Sequence, residues 1–268
     1  MSELRSDSPE SVVSALAPHD ASSGSGLVAS PRRRRRRTDW REGGRDVRRW
    51  DIRVLSVTAV SLGLGVVAAA TVGRLGTSWA SLASTATLWA SFAAAIAYAL
   101  VRARPAGLLR FRPIDLLWGV SVGLGLRALE GWLSGSMSSA FPTAGTLDGT
   151  VPANWWWMTA LPGGLLGPLV EEFLFRAVIL VSVFQAFRRW AGQQAAGVTA
   201  LLTSAGAFVL LHAAFSPTAL ADGVQLFLVG AVCSLAVLLT GRIWGAVLIH
   251  LVYNASFLLL VIVGTSLS

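Results

Sequence analysis

Glu171 and Glu172 lie side by side in the stretch Val170-Glu171-Glu172-Phe173-Leu174-Phe175-Arg176, inside an apolar run. An ionisable side chain at membrane depth costs at least about 2.5–3.5 kcal/mol on insertion scales, so three charges together need a reason. Glu172 and Arg176 are four apart with the acid on the N-terminal side, which allows an ion pair within one helix. Glu171 points about 100° further round the helix and has no such partner. Two histidines lie in other apolar segments: His212, four residues after Phe208, and His250, four before Asn254. The second spacing puts His250 and Asn254 on one helix face. Polar side chains in apolar spans turn towards the bundle interior or a wet cavity, so these residues are expected to converge. A carboxylate beside a neutral imidazole can hold and deprotonate a water. A second imidazole and a carboxamide can donate hydrogen bonds to a developing oxyanion. The set therefore suits attack of activated water on an amide. There is no nucleophile elbow and no HExxH.

The rest of the chain must place these groups in hydrocarbon. Its 268 residues are 54% hydrophobic and only 13% charged, with a mean hydropathy of +0.62. A soluble domain carries nearer a quarter charged residues, so an all-α, polytopic transmembrane bundle is expected. Seven apolar segments, roughly 54–73, 79–101, 114–137, 157–187, 195–214, 223–241 and 243–264, are each long enough to span a core about 30 Å thick. The fourth is too long for one straight span. Its Pro162, Gly163, Gly164, Gly167 and Pro168 imply either a short interfacial helix before a second one, or one kinked helix. Three blocks follow: a disordered Arg-rich tail over 1–50, N-terminal transmembrane helices over 51–152, and a catalytic transmembrane part over 153–266.

All 22 basic residues are Arg and the net charge is +8. The Arg32–Arg37 run just ahead of the first span reads as an anchor on anionic lipid, with no nucleic acid as partner. Arg102, Arg104, Arg110 and Arg112 follow the second span, Arg188 and Arg189 the fourth, and Arg242 the sixth; the alternate loops hold only Arg74. That alternation puts the N-terminus in the cytoplasm of what is expected to be a bacterial plasma membrane. Trp50, Trp118, Trp190 and Trp244 fall at inner boundaries, and Trp79 and Trp155–Trp157 at outer ones. Arg127 and Glu130, three apart, are expected to neutralise one another. His19 lies in the tail, and Cys233, the single cysteine, allows no intrachain disulfide.

Glu-Glu-x-x-x-Arg, Phe-x-x-x-His and His-x-x-x-Asn, in that order on successive apolar segments over roughly Leu161–Leu260, resemble the CAAX-protease and bacteriocin-processing family (CPBP, or Abi). That family includes the type II CAAX prenyl endopeptidases. The resemblance implies an intramembrane protease with Glu171 as general base and His212 helping to hold the water. It also implies an oxyanion site at His250 and Asn254, with Glu172, Arg176 and Phe208 in support. The substrate it implies is a membrane-embedded or lipidated protein or peptide. The family carries a metalloendopeptidase label, and Glu171, His212 and His250 would be the zinc set. The expectation is instead that no cofactor is needed, because Asn254 one turn from His250 suits a donor pair and Arg176 disfavours a nearby divalent ion. The rival readings are a non-catalytic immunity or scaffold protein of the same fold and, behind it, a transporter with a proton-relay carboxylate. Counting from Arg188 at about 1.5 Å per residue puts Glu171 some 25 Å up, while His250 counts into the opposite half.

Overall fold

The computed structural model describes residues 39–42, 47, 49–135, 141–144, 149–217 and 219–267. His19, Arg32–Arg37, Arg45, Arg48, Asp148 and most of the expected tail lie outside the described residues. All the regular elements among the described residues are helical. We number the long ones α1 (Ile52–Gly73), α2 (Ala80–Arg102), α3 (Ile114–Leu133), α4 (Trp156–Phe215), α5 (Leu220–Thr240) and α6 (Trp244–Leu267).

The seven apolar segments map onto these six because α4 folds back on itself. Gly192, at φ 79° and ψ 174°, breaks the helical path. The second arm returns along the first: Ser204 Oγ donates to Phe175 O at 3.0 Å, and the Phe175 and Phe208 rings meet edge-on at 5.4 Å. Among the described residues, five helices, with α4 counted once, are long and apolar enough to cross a membrane, so the chain is an integral membrane protein. α3, which carries Asp115, Arg127 and Glu130, is not among the five.

Small residues let the helices approach closely. A Cβ on Gly65 of α1 would come 2.0 Å from Ser91 Oγ of α2, where Ser61 Oγ also donates to Ser91 O. Gly119 and Gly123 of α3 do the same against Leu248 and Ile249 of α6. α5 stops at Gly241, whose φ of 71° gives the left-handed cap that ends a helix cleanly.

Around Pro162–Pro168 the second of the two sequence alternatives holds. The chain is one continuous helix from Trp156, and it absorbs Pro168 by widening into π-turns at Trp156–Ala160, Pro162–Leu166 and Phe173–Ile179. A π-turn bonds to the fifth residue back, as Gly167 N–H does to Pro162 O, and such turns collect at functional sites. Two of them flank the short α-helical piece Gly167–Glu172 that carries both acidic residues.

The expected tail extends too far. Trp40, Val47 and Trp50 are buried. Trp40 Nε1 donates to Gly241 O at 3.0 Å and its ring packs edge-on to Phe184. Arg41 Nη1 donates to Leu238 O and Leu239 O, capping the C-terminal end of α5. The short apolar stretch fills a notch between α4 and α5, which no helical period in the sequence announces. Two of the expected belt tryptophans are likewise packed inward: Trp50 Nε1 donates to Ala99 O and Trp244 Nε1 to Leu109 O.

Candidate active site

Glu172 and Arg176 are both fully buried, with Nη1 3.0 Å from Oε1. The contact is an ion pair whose angle does not align a hydrogen bond. The guanidinium rests against two rings, its Cζ 4.7 Å from the Phe208 centroid and 5.7 Å from that of Phe175. Gly230 leaves room for it: a Cβ there would sit 3.4 Å from Arg176 Nη2. The pair expected from the i, i+4 spacing is present.

Glu172 has a second partner that spacing did not reveal. His250 Nδ1 lies 2.9 Å from Glu172 Oε1. A carboxylate can only accept, so Nδ1 carries the proton and a neutral His250 keeps its lone pair on Nε2. That Nε2 faces Glu171 Oε2 at 4.0 Å. Glu171 is the more exposed of the two acids, its side chain 17% accessible against 0% for Glu172. The environment therefore separates the adjacent carboxylates: one is locked behind the imidazole and the other faces open space.

That space is a cavity of about 720 Å³, lined by Glu171, His212, His250 and Asn254 together with Phe208. All four candidate catalytic residues thus reach one volume, from both arms of α4 and from α6. His212 Nδ1 lies 2.9 Å from Phe208 O in its own helix. The carbonyl can only accept, so a neutral His212 also keeps Nε2 unprotonated. Asn254 Nδ2 donates to Gly163 O at 2.9 Å, tying α6 to the π-turn; its other N–H remains for a ligand. Whatever their count from the helix ends, Glu171 and His250 stand side by side, 4.0 Å apart, where α4 packs against the first turns of α6. Phe173 meets Trp244 at 6.2 Å, one residue beyond the Glu172–His250 contact.

Several site residues escaped the sequence reading. Tyr253 lines the cavity beside Asn254; its hydroxyl donates to Glu130 Oε2 at 2.8 Å and accepts from Gln225 Nε2 at 3.4 Å. Arg127 pairs with Glu130, donates to Tyr253 O and stacks 4.0 Å above the Tyr253 ring. The Arg127–Glu130 pair is thus present and also fixes Tyr253. α2, which carries no motif, supplies Ser84, Leu88 and Trp89 to the wall. Buried Asp115 holds Arg242 at 2.6 Å and joins the start of α3 to the α5–α6 corner. Arg127 and Glu130 were already visible as a pair; of the others, Gln225, an amide in an apolar run, and Asp115, a charge at the start of one, carried a local signal.

The fold and site define a helical membrane protein with a polar cavity enclosed among its spans. Residues 153–256 match the family model described as Type II CAAX prenyl endopeptidase Rce1-like, so this part of the chain is similar to the CAAX-protease family. At the general level that is a family of proteases. Nothing among curated proteins or solved structures matches the chain.

Proposed function

We propose that the chain is an intramembrane endopeptidase of the CAAX prenyl protease type, which hydrolyses a peptide bond with water activated by Glu171. The observation that supports it most is the pairing of Glu171 with His250 Nε2 at 4.0 Å while Glu172 holds the far side of the ring. One water placed about 2.8 Å from both atoms would bridge them. His250 Nε2 accepts one of its hydrogens and Glu171 takes the other as the oxygen attacks the carbonyl carbon. The free N–H of Asn254 donates to the resulting oxyanion. The C–N bond then breaks, and the proton held by Glu171 passes to the departing amine. In this account His250 receives the water's hydrogen bond, because its Nδ1–H is committed to Glu172. His212 keeps Nε2 for the water or, once protonated, for the oxyanion.

A zinc ion would be held by Glu171, His212 and His250, with Glu172 as the orienting carboxylate behind His250. Among the described residues, no three of His, Cys, Asp and Glu stand together closely enough to hold a metal. That spacing supports a reading without a three-ligand site, and no step is assigned to a metal. The test of the whole reading is incubation of purified protein with a membrane proteome and mapping of new termini. Termini that appear with wild type and vanish with Glu171→Ala are expected; identical termini from both would refute it.

A further inference from the structure

The cavity has one end that reaches the protein surface, and charge identifies the side of the membrane on which that end lies. Its floor is Glu171 and His250. Its outer wall is Gly73 at the end of α1, Ser81 at the start of α2, Thr159 at the start of α4 and Ser216 just past its end. These four belong to helix ends facing the Arg-poor loops, where Arg74 is the one basic residue.

The opposite end of the bundle gathers the remaining loop arginines: Arg102, Arg104, Arg110, Arg112, Arg188, Arg189 and Arg242. These loops are bound together in space as well as alternating in sequence. Arg188 Nη1 donates to Arg41 O, Arg41 caps α5, Arg242 pairs with Asp115, and Ile243 N donates to Leu108 O. None of the residues in these Arg-bearing loops lines the cavity. Along α4 the fully buried Leu174 and Phe175 come between Glu171 and Arg188, and the buried Phe92 ring packs edge-on to Phe175. The catalytic floor is therefore sealed from the Arg-rich end and open towards the other. Arg-rich ends stay in the cytoplasm.

We propose that the cavity is entered from the outer face of the membrane, so that the substrate is an exported or outward-facing polypeptide segment. A lipidated C-terminal tail presented from the cytoplasm would meet the sealed end. This rests on the protease reading for the word substrate, but the direction of access does not. It can be tested with single cysteines at Ser81→Cys, Thr159→Cys and Gln193→Cys, each in a Cys233→Ala background and treated with a membrane-impermeant maleimide. Ser81→Cys and Thr159→Cys are expected to label in intact spheroplasts, while Gln193→Cys at the Arg-rich turn labels only after lysis. The reverse pattern would overturn the proposal. The second arm uses one reporter peptide fused to face either side of the membrane. Cleavage of the outward version alone supports the proposal, and cleavage of the inward version alone overturns it. If neither is cleaved while the cavity cysteines label from outside, access stands and the protease reading fails.

Discussion

Glu172→Gln offers the most discriminating perturbation, because Glu172 serves two partners that call for different readouts. The change leaves Arg176, which is 0% accessible, as a buried cation without its counter-ion. Breaking one side of a buried pair costs about 3–5 kcal/mol. At roughly 2–4 °C per kcal/mol for a protein of this size, the melting temperature falls by about 6–20 °C. The same change removes the carboxylate that fixes the His250 tautomer and ring, so activity falls as well. Adding Arg176→Met separates the two effects. It replaces the orphaned cation with an apolar chain among Phe175 and Phe208, and such replacements of a whole buried pair are often neutral or stabilising. The double variant should recover most of the lost melting temperature and none of the lost turnover, measured on protein in the same detergent with a reporter peptide. A double variant that regains wild-type kcat would refute the role of Glu172 behind His250. A single variant that melts like wild type would refute the energetic assignment.

Dialysis of the purified protein against a strong chelator should leave turnover unchanged and release no stoichiometric metal by elemental analysis. Loss of activity restored by zinc would make His212 and His250 ligands. Two truncations test the packed N-terminal stretch. A chain beginning at residue 48 lacks Trp40, Arg41 and Val47 and should melt below one beginning at residue 39, because loss of a buried Trp costs on the order of 3–5 kcal/mol; equal melting curves would show that the Trp40 contact contributes nothing.

The helical membrane class, the positions of the apolar segments and the Glu172–Arg176 pair were all legible along the chain. Each of these is a local property, set by composition, run length or an i, i+4 spacing within one helix. The sequence also brought forward Glu171, His212, His250 and Asn254, because strongly polar side chains are conspicuous in hydrocarbon. Which partner each would meet was not local. The Glu172–His250 contact joins residues 78 apart and depends on how α4 packs against α6. The π-turns around Pro168 flank the piece that carries Glu172, and composition could only mark them as a disturbance. The burial of Trp40 depends on a notch between α4 and α5 that exists only after both have packed. Nothing local marked Tyr253, whose hydroxyl finds Glu130 only once α3 has packed beside α6. The direction in which the cavity opens needed both sources: charge counted along the chain assigns the ends, and only the packed bundle shows which end is closed.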